Sequence, residues 1–168
     1  KVRDAHARLS KALVDGGVDF FVIETQFSAK EAAIVVNEAR KHGLPIAVSM
    51  TYKCTKDRKT GEVVYKTDWG HSPQMLIDTL ASGEYSDGEN LLPYVDIVGL
   101  NCGAESRLVE HTGMAYAIEG TRQIAKAIEG SDHPIRIMAY PNAGMPTLNK
   151  AMETMYSQSP DDMAVHMD

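Results

Sequence analysis

Val95-Asp96-Ile97-Val98-Gly99-Leu100-Asn101-Cys102-Gly103 is the stretch on which the fold turns. Val95 to Leu100 is a short, mostly apolar run of strand length, and it gives way at its carboxyl end to Asn-Cys-Gly. The same arrangement occurs twice upstream. Phe20-Phe21-Val22-Ile23 runs continuously apolar, as a strand covered on both faces does, and ends in Glu24-Thr25. Pro45 opens a strand from Ile46 to Met50 that ends in Ser49-Met50-Thr51-Tyr52. Downstream, Ile135 to Tyr140 is a fourth strand, ending in Tyr140-Pro141-Asn142-Ala143-Gly144.

Helical patterns separate the strands. Val2 to Val14 carries Val2, Ala5, Leu9, Ala12 and Leu13 at helical spacing, and Gly16-Gly17 stops it. Ser28 is an N-cap with Glu31 three residues on, the pattern of a capping box, and the helix it starts runs to about His42 before Gly43. Ser72-Pro73 starts a helix through Leu80, and Met114 to Glu129 is a third crossover helix. Ser159-Pro160-Asp161-Asp162 starts another. Lys53 to His71 is too long and polar for an ordinary βα connection, and Val63-Val64-Tyr65 within it reads as a hairpin arm.

Strands alternating with helices predict an α/β protein built of parallel βα units. Two architectures compete. A small open doubly wound sheet lacks support, because no Gly-rich phosphate loop follows the first strand. The prediction is therefore a (β/α)8 TIM-type barrel. A whole barrel takes about 250 residues, so the 168 residues here hold roughly half of one, as a single partial barrel domain spanning 1–168.

Composition excludes several functions. With 43% hydrophobic and 24% charged residues and a net charge of −6, this is the balance of a globular protein. No clustered basic face exists for nucleic acid, and no apolar run approaches the roughly 20 residues of a membrane span. Lys1 to Lys11 reads as an amphipathic helix rather than a signal peptide. Two cysteines, Cys54 and Cys102, are too few for a disulfide scaffold and fit a reducing compartment, by default the cytoplasm.

Chemistry in parallel α/β folds collects at the carboxyl ends of strands. Those positions hold Glu24, Ser49, Asn101, Cys102 and Asn142. Each has a plain alternative. Glu24 could cap the next helix, Cys102 could pack as a small hydrophobe, and Asn101 and Asn142 are common turn formers. Tyr52 and Tyr140 could pack the rim. His6, His42 and His111 fall at solvated positions. Cys54, His71 and Cys102 form a chemically acceptable zinc trio, although no spacing requires it.

Taken in order, Val22-Ile23-Glu24-Thr25, Val48-Ser49-Met50-Thr51, Val98-Gly99-Leu100-Asn101-Cys102-Gly103 and Tyr140-Pro141-Asn142-Ala143-Gly144-Met145-Pro146 resemble one family. It is the homocysteine-binding methyltransferase domain, as in cobalamin-dependent methionine synthase and betaine–homocysteine methyltransferase. The resemblance implies zinc-dependent methyl transfer to the thiol of homocysteine or a close analogue, as in methionine formation. It implies that Cys102 is a zinc ligand and that Glu24 holds the amino group of homocysteine. Ser49, Asn101 and Asn142 would line the same substrate site. The methyl donor could be a methylated corrinoid or a folate-derived donor presented by a partner domain, a betaine-like onium compound, or S-methylmethionine.

The resemblance also implies two further zinc ligands, adjacent cysteines in a Gly-Gly-Cys-Cys-Gly string, beyond Asp168, and earlier barrel strands before Lys1. Neither is within these residues. The chain is thus expected to be inactive alone and to close its barrel with a complementing chain or a second copy. Two other readings compete: a non-catalytic barrel fragment serving as a binding or assembly module, and another corrinoid-linked barrel methyltransferase in which Cys102 is incidental.

Overall fold

The computed structural model describes residues 1–103 and 108–165. In chain order the elements are α1 (Val2–Asp15), β1 (Phe21–Gln26), α2 (Ala29–Ala39), β2 (Ile46–Met50), β3 (Lys53–Lys56), β4 (Val63–Lys66), α3 (Pro73–Ala81), β5 (Ile97–Cys102), α4 (Gly113–Ile128), β6 (Arg136–Pro141), β7 (Pro146–Leu148), β8 (Thr154–Tyr156) and α5 (Pro160–Ala164). Strands β1, β2, β5 and β6 form one parallel sheet in that sequential order. Two antiparallel hairpins, β3–β4 and β7–β8, stand outside it.

Local chemistry explains most boundaries. Ser28 caps α2 by accepting from the Glu31 amide at 3.3 Å. The reciprocal half of the expected box is not made, because the Glu31 carboxylate turns to His6, 3.6 Å away. Ser72 caps α3 through the Met75 amide, with Pro73 in the first turn. Ser159 and Asp162 complete a full capping box on α5. His42 is not solvated as the sequence suggested. Its Nε2 lies 3.1 Å from Ser10 Oγ and its ring packs against Phe21, tying α1 to the end of α2.

Side-chain parity divides the sheet into two unlike faces. Phe21, Ile23, Ile46, Val48, Met50, Val98 and Leu100 are buried with Ala32, Ala33, Val36, Leu76, Leu80 and Ile124 of the helices. The opposite face carries Val22, Glu24, Ala47, Ser49, Ile97, Gly99, Asn101, Met138 and Tyr140, which the strand register places side by side. At its centre Ala47, Ser49 and Asn101 are buried, whereas at its β1 edge Val22 remains 44% exposed. The expectation that Phe20–Ile23 is covered on both faces therefore fails: among the described residues it is covered on one, and Phe20 lies outside the strand and is exposed.

The β3–β4 hairpin is anchored from beneath. Tyr65 stacks on Tyr116 of α4 with ring centroids 5.2 Å apart, and Tyr52 meets Tyr65 edge-on at 6.4 Å. The Tyr65 hydroxyl donates to the Tyr116 carbonyl at 3.0 Å. Gln123 closes the join, accepting from the Tyr65 amide and donating to the Val63 carbonyl. Gly120 permits the close seat of α4, since a Cβ there would lie 2.3 Å from Leu100 Cδ2.

Candidate active site at the carboxyl ends of the strands

Asn101, near the end of β5, is fully buried and uses every hydrogen-bonding position of its amide. Oδ1 accepts from Ser49 Oγ at 2.7 Å and from the Thr25 amide at 3.3 Å. Nδ2 donates to Thr25 Oγ1 at 2.8 Å and to Cys102 Sγ at 3.1 Å. One side chain thus joins the ends of three neighbouring strands. Both donors and both acceptor directions are satisfied, which fixes the amide's orientation.

The backbone around it is unusual. Thr25 has φ 56° and Cys102 has φ 62°, both in the left-handed region that non-glycine residues seldom occupy. Between β1 and β2 the register slips: Ile23 pairs with Val48 and Gln26 with Met50. Glu24 and Thr25 together therefore oppose Ser49 alone. This is a β-bulge, and bulges re-aim side chains at strand ends.

Cys102 is half-buried, and its sulfur accepts from Asn101 Nδ2. Glu24 is exposed, and among the described residues no lysine or arginine pairs with it. Tyr140, at the end of β6, pairs with Asn101 and shares its face of the sheet with Glu24 and Ser49. Its hydroxyl lies against Ser49 and feels the charges of both Glu24 and Cys102. Burial, helped by those two groups and opposed by Ser49, raises the phenol above its ordinary pKa, so it stays a protonated donor. By residue type and position alone, Tyr140 reads as rim packing. Knowing that Tyr140 pairs with Asn101, and Ser49 with Gly99, required the register.

Two expected substrate contacts are buried. Ser49 and Asn101 are both fully buried and are bonded to each other. Asn142 is half-buried in the turn after β6; its amide donates to the Cys102 carbonyl at 2.8 Å, holding that turn against β5. The chain between Tyr140 and Gly144 is braced further by Gln158, whose amide donates to the Ala143 carbonyl and whose Oε1 accepts from the Met114 amide.

The trio of Cys54, His71 and Cys102 is not assembled. Cys54 is buried against Tyr65 within the tyrosine cluster. His71 Nδ1 accepts from the Ala29 amide at 2.8 Å, which satisfies a free donor at the start of α2. Among the described residues no group of three His, Cys, Asp or Glu side chains could hold a metal ion. Cys102 offers one thiolate, so a zinc bound here would need ligands from elsewhere.

Tyr116 supports the site from the helix layer. Its hydroxyl donates to the Asn101 carbonyl at 3.2 Å and accepts from the Tyr52 amide at 3.1 Å. Tyr116→Phe leaves both buried groups unpartnered and is expected to destabilise the fold by about 1–3 kcal/mol. Urea unfolding measures this; an unchanged midpoint and slope would show that the bridge contributes nothing.

An all-parallel sheet with its helices on one face, and a carboxylate, a phenol and a thiol gathered where the strands end, defines an α/β protein of the kind that carries catalysis at that rim. Residues 1–168, the whole chain, match the family model of homocysteine S-methyltransferases, and the chain belongs to that family of methyltransferases. No curated protein matches it. No helix among the described residues is long and apolar enough to cross a membrane.

Proposed function

We propose that this chain is about half of a (β/α)8 barrel and carries the thiol-acceptor side of a homocysteine S-methyltransferase. The observation that carries the reading is the convergence of Glu24, Tyr140 and Cys102 around the Asn101 clamp. The sequential strand order, with crossover helices on one face only, favours a barrel wall over a doubly wound sheet, which has helices on both. The face opposite the helices would then be the barrel interior, completed by strands outside these 168 residues or by a second chain. Ser49 and Asn101 would act beneath the substrate, and Asn142 at its margin.

Homocysteine is an amino acid with a thiol, so its site needs an anion for the ammonium and a means of keeping sulfur reactive. Glu24 supplies a carboxylate that, among the described residues, has no lysine or arginine partner. A charge-assisted bond from it to the ammonium would fix the acceptor's orientation. Tyr140 would offer a neutral donor between Glu24 and Cys102. Cys102 would be one of three thiolate ligands to zinc, the other two coming from outside the described residues. Zinc, when bound, would hold the substrate sulfur as thiolate at neutral pH, where a free thiol of pKa about 8.5 is mostly protonated. The methyl donor would be a methylated corrinoid or folate brought by a partner domain, or a small onium compound.

The acceptor reading is tested by Glu24→Gln in the full-length protein. Removing the charge while keeping the shape is expected to raise the KM for homocysteine about 10- to 100-fold, with kcat changing far less. Steady-state kinetics with homocysteine varied at fixed methyl donor measure it. An unchanged KM would remove Glu24 from the site.

A further inference from the structure

The bulge at the end of β1 gives Thr25 a part that the family assignment does not. A threonine at φ 56° is strained, because its branched Cβ crowds the backbone in the left-handed region. Such a conformation persists only where its surroundings over-determine it. Here they do: the Thr25 amide and hydroxyl are both held by the Asn101 side chain, at 3.3 and 2.8 Å. Asn101 Nδ2, which donates to the Thr25 hydroxyl, also donates to Cys102 Sγ at 3.1 Å.

We infer that Thr25 is a positioning residue: gripped by Asn101, it sets the bulge that aims Glu24 and keeps that carboxylate in register with the Cys102 sulfur. Thr25 acts through its neighbours. Its side chain locks the turn that directly follows Glu24, while Asn101 transmits the lock across to β5. A small rotation at Thr25 would swing the Glu24 carboxylate relative to the sulfur, and misplacement of about 1 Å in an oriented site has large consequences. The inference rests on the acceptor reading given above.

Three substitutions separate positioning from simple stability. Thr25→Ser keeps the hydroxyl, Thr25→Val keeps the shape without it, and Thr25→Gly relieves the backbone strain while losing the grip. In the full-length protein, homocysteine KM, kcat and the thermal midpoint are measured for each. T25S is expected to stay within about threefold of the parent KM, and T25V to raise KM about tenfold or more with a smaller fall in kcat. T25G is expected to raise KM as T25V does, although relief of its left-handed backbone makes its midpoint fall less than that of T25V. A merely structural residue would instead show KM following the midpoint across all three. That pattern, or a T25V KM within threefold of the parent, overturns the inference while leaving the acceptor site intact. If the unaltered protein neither binds homocysteine by calorimetry nor methylates it, the acceptor reading itself falls, and the role of Thr25 falls with it. Should T25V fold poorly, T25G against T25S decides.

Discussion

Cys102→Ala in the full-length protein is expected to lower homocysteine methylation by at least about 10³-fold, some 4 kcal/mol of lost transition-state stabilisation, and to abolish stoichiometric zinc. The fold should survive. Cys102 is half-buried, its left-handed backbone strains alanine no more than cysteine, and among the described residues the removed sulfur accepts one hydrogen bond, from Asn101. Cys102→Ser is the more searching variant. It keeps a hydrogen-bond acceptor for Asn101 and nearly the same volume, yet its hydroxyl does not ionise near neutral pH and is a poor zinc ligand. Both variants should therefore be inactive and folded, with near-native circular dichroism. Metal analysis and turnover are measured on the same samples. If both variants keep zinc and activity, Cys102 is a packing residue and the zinc proposal fails.

The positions of the strands were legible because each is an apolar run broken by a polar residue at its carboxyl end. Ile46–Met50 lies where Pro45 and the hydrophobic run placed it. The apolar run predicts a third strand ending at Leu100, but β5 continues through Asn101 and Cys102 to pair with Tyr140 and Pro141. Those polar residues satisfy their backbone groups in the ladder, which residue type alone does not announce. The hairpin arm at Val63–Tyr65 was also legible, through three β-formers inside a polar stretch. The β7–β8 hairpin was not. Its strands are three residues each, and Leu148, Met155 and Tyr156 stay exposed, so no alternation of buried and solvated positions marks them.

The site was half legible for a related reason. Polar type and position pointed to Glu24, Asn101 and Cys102. Their division of labour depends on register, which is a property of two strands at once. The bulge at Glu24-Thr25 appears only when β1 is aligned with β2, and it separates an exposed carboxylate from a clamped threonine one residue later. Tyr116 is further still from any sequence signal. It lies in the first turns of a helix whose apolar face explains it well enough, and only its contact with the Asn101 carbonyl ties it to the site. The histidines show the same limit. His71 could have been a ligand by type, yet its ring nitrogen is committed to the start of α2.

Gly103→Ala is expected to be a strongly damaging single-methyl change beside Cys102. Gly103 follows Cys102 with φ 80°, and a Cβ there would sit 2.5 Å from Tyr116 Cδ1 and 2.6 Å from Cε1. The ring has nowhere to go: Tyr116 is fully buried, stacked on Tyr65, and pinned through its hydroxyl to Asn101 and Tyr52. Two costs add. A left-handed alanine in place of glycine costs about 1 kcal/mol, and forcing an extra carbon into a packed core costs about 1–3 kcal/mol. Gly130→Ala separates them, because Gly130 has φ 83° with nothing within 4 Å of its added Cβ. It should lose only the backbone share. Urea unfolding of both variants gives the difference, which belongs to the Tyr116 overlap. Because the strain enters beside Cys102, Gly103→Ala should also weaken homocysteine binding, whereas Gly130→Ala should not. Equal destabilisation by the two alanines would mean that the Tyr116 ring yields easily, and that the layer beneath Cys102 is softer than its hydrogen bonds imply.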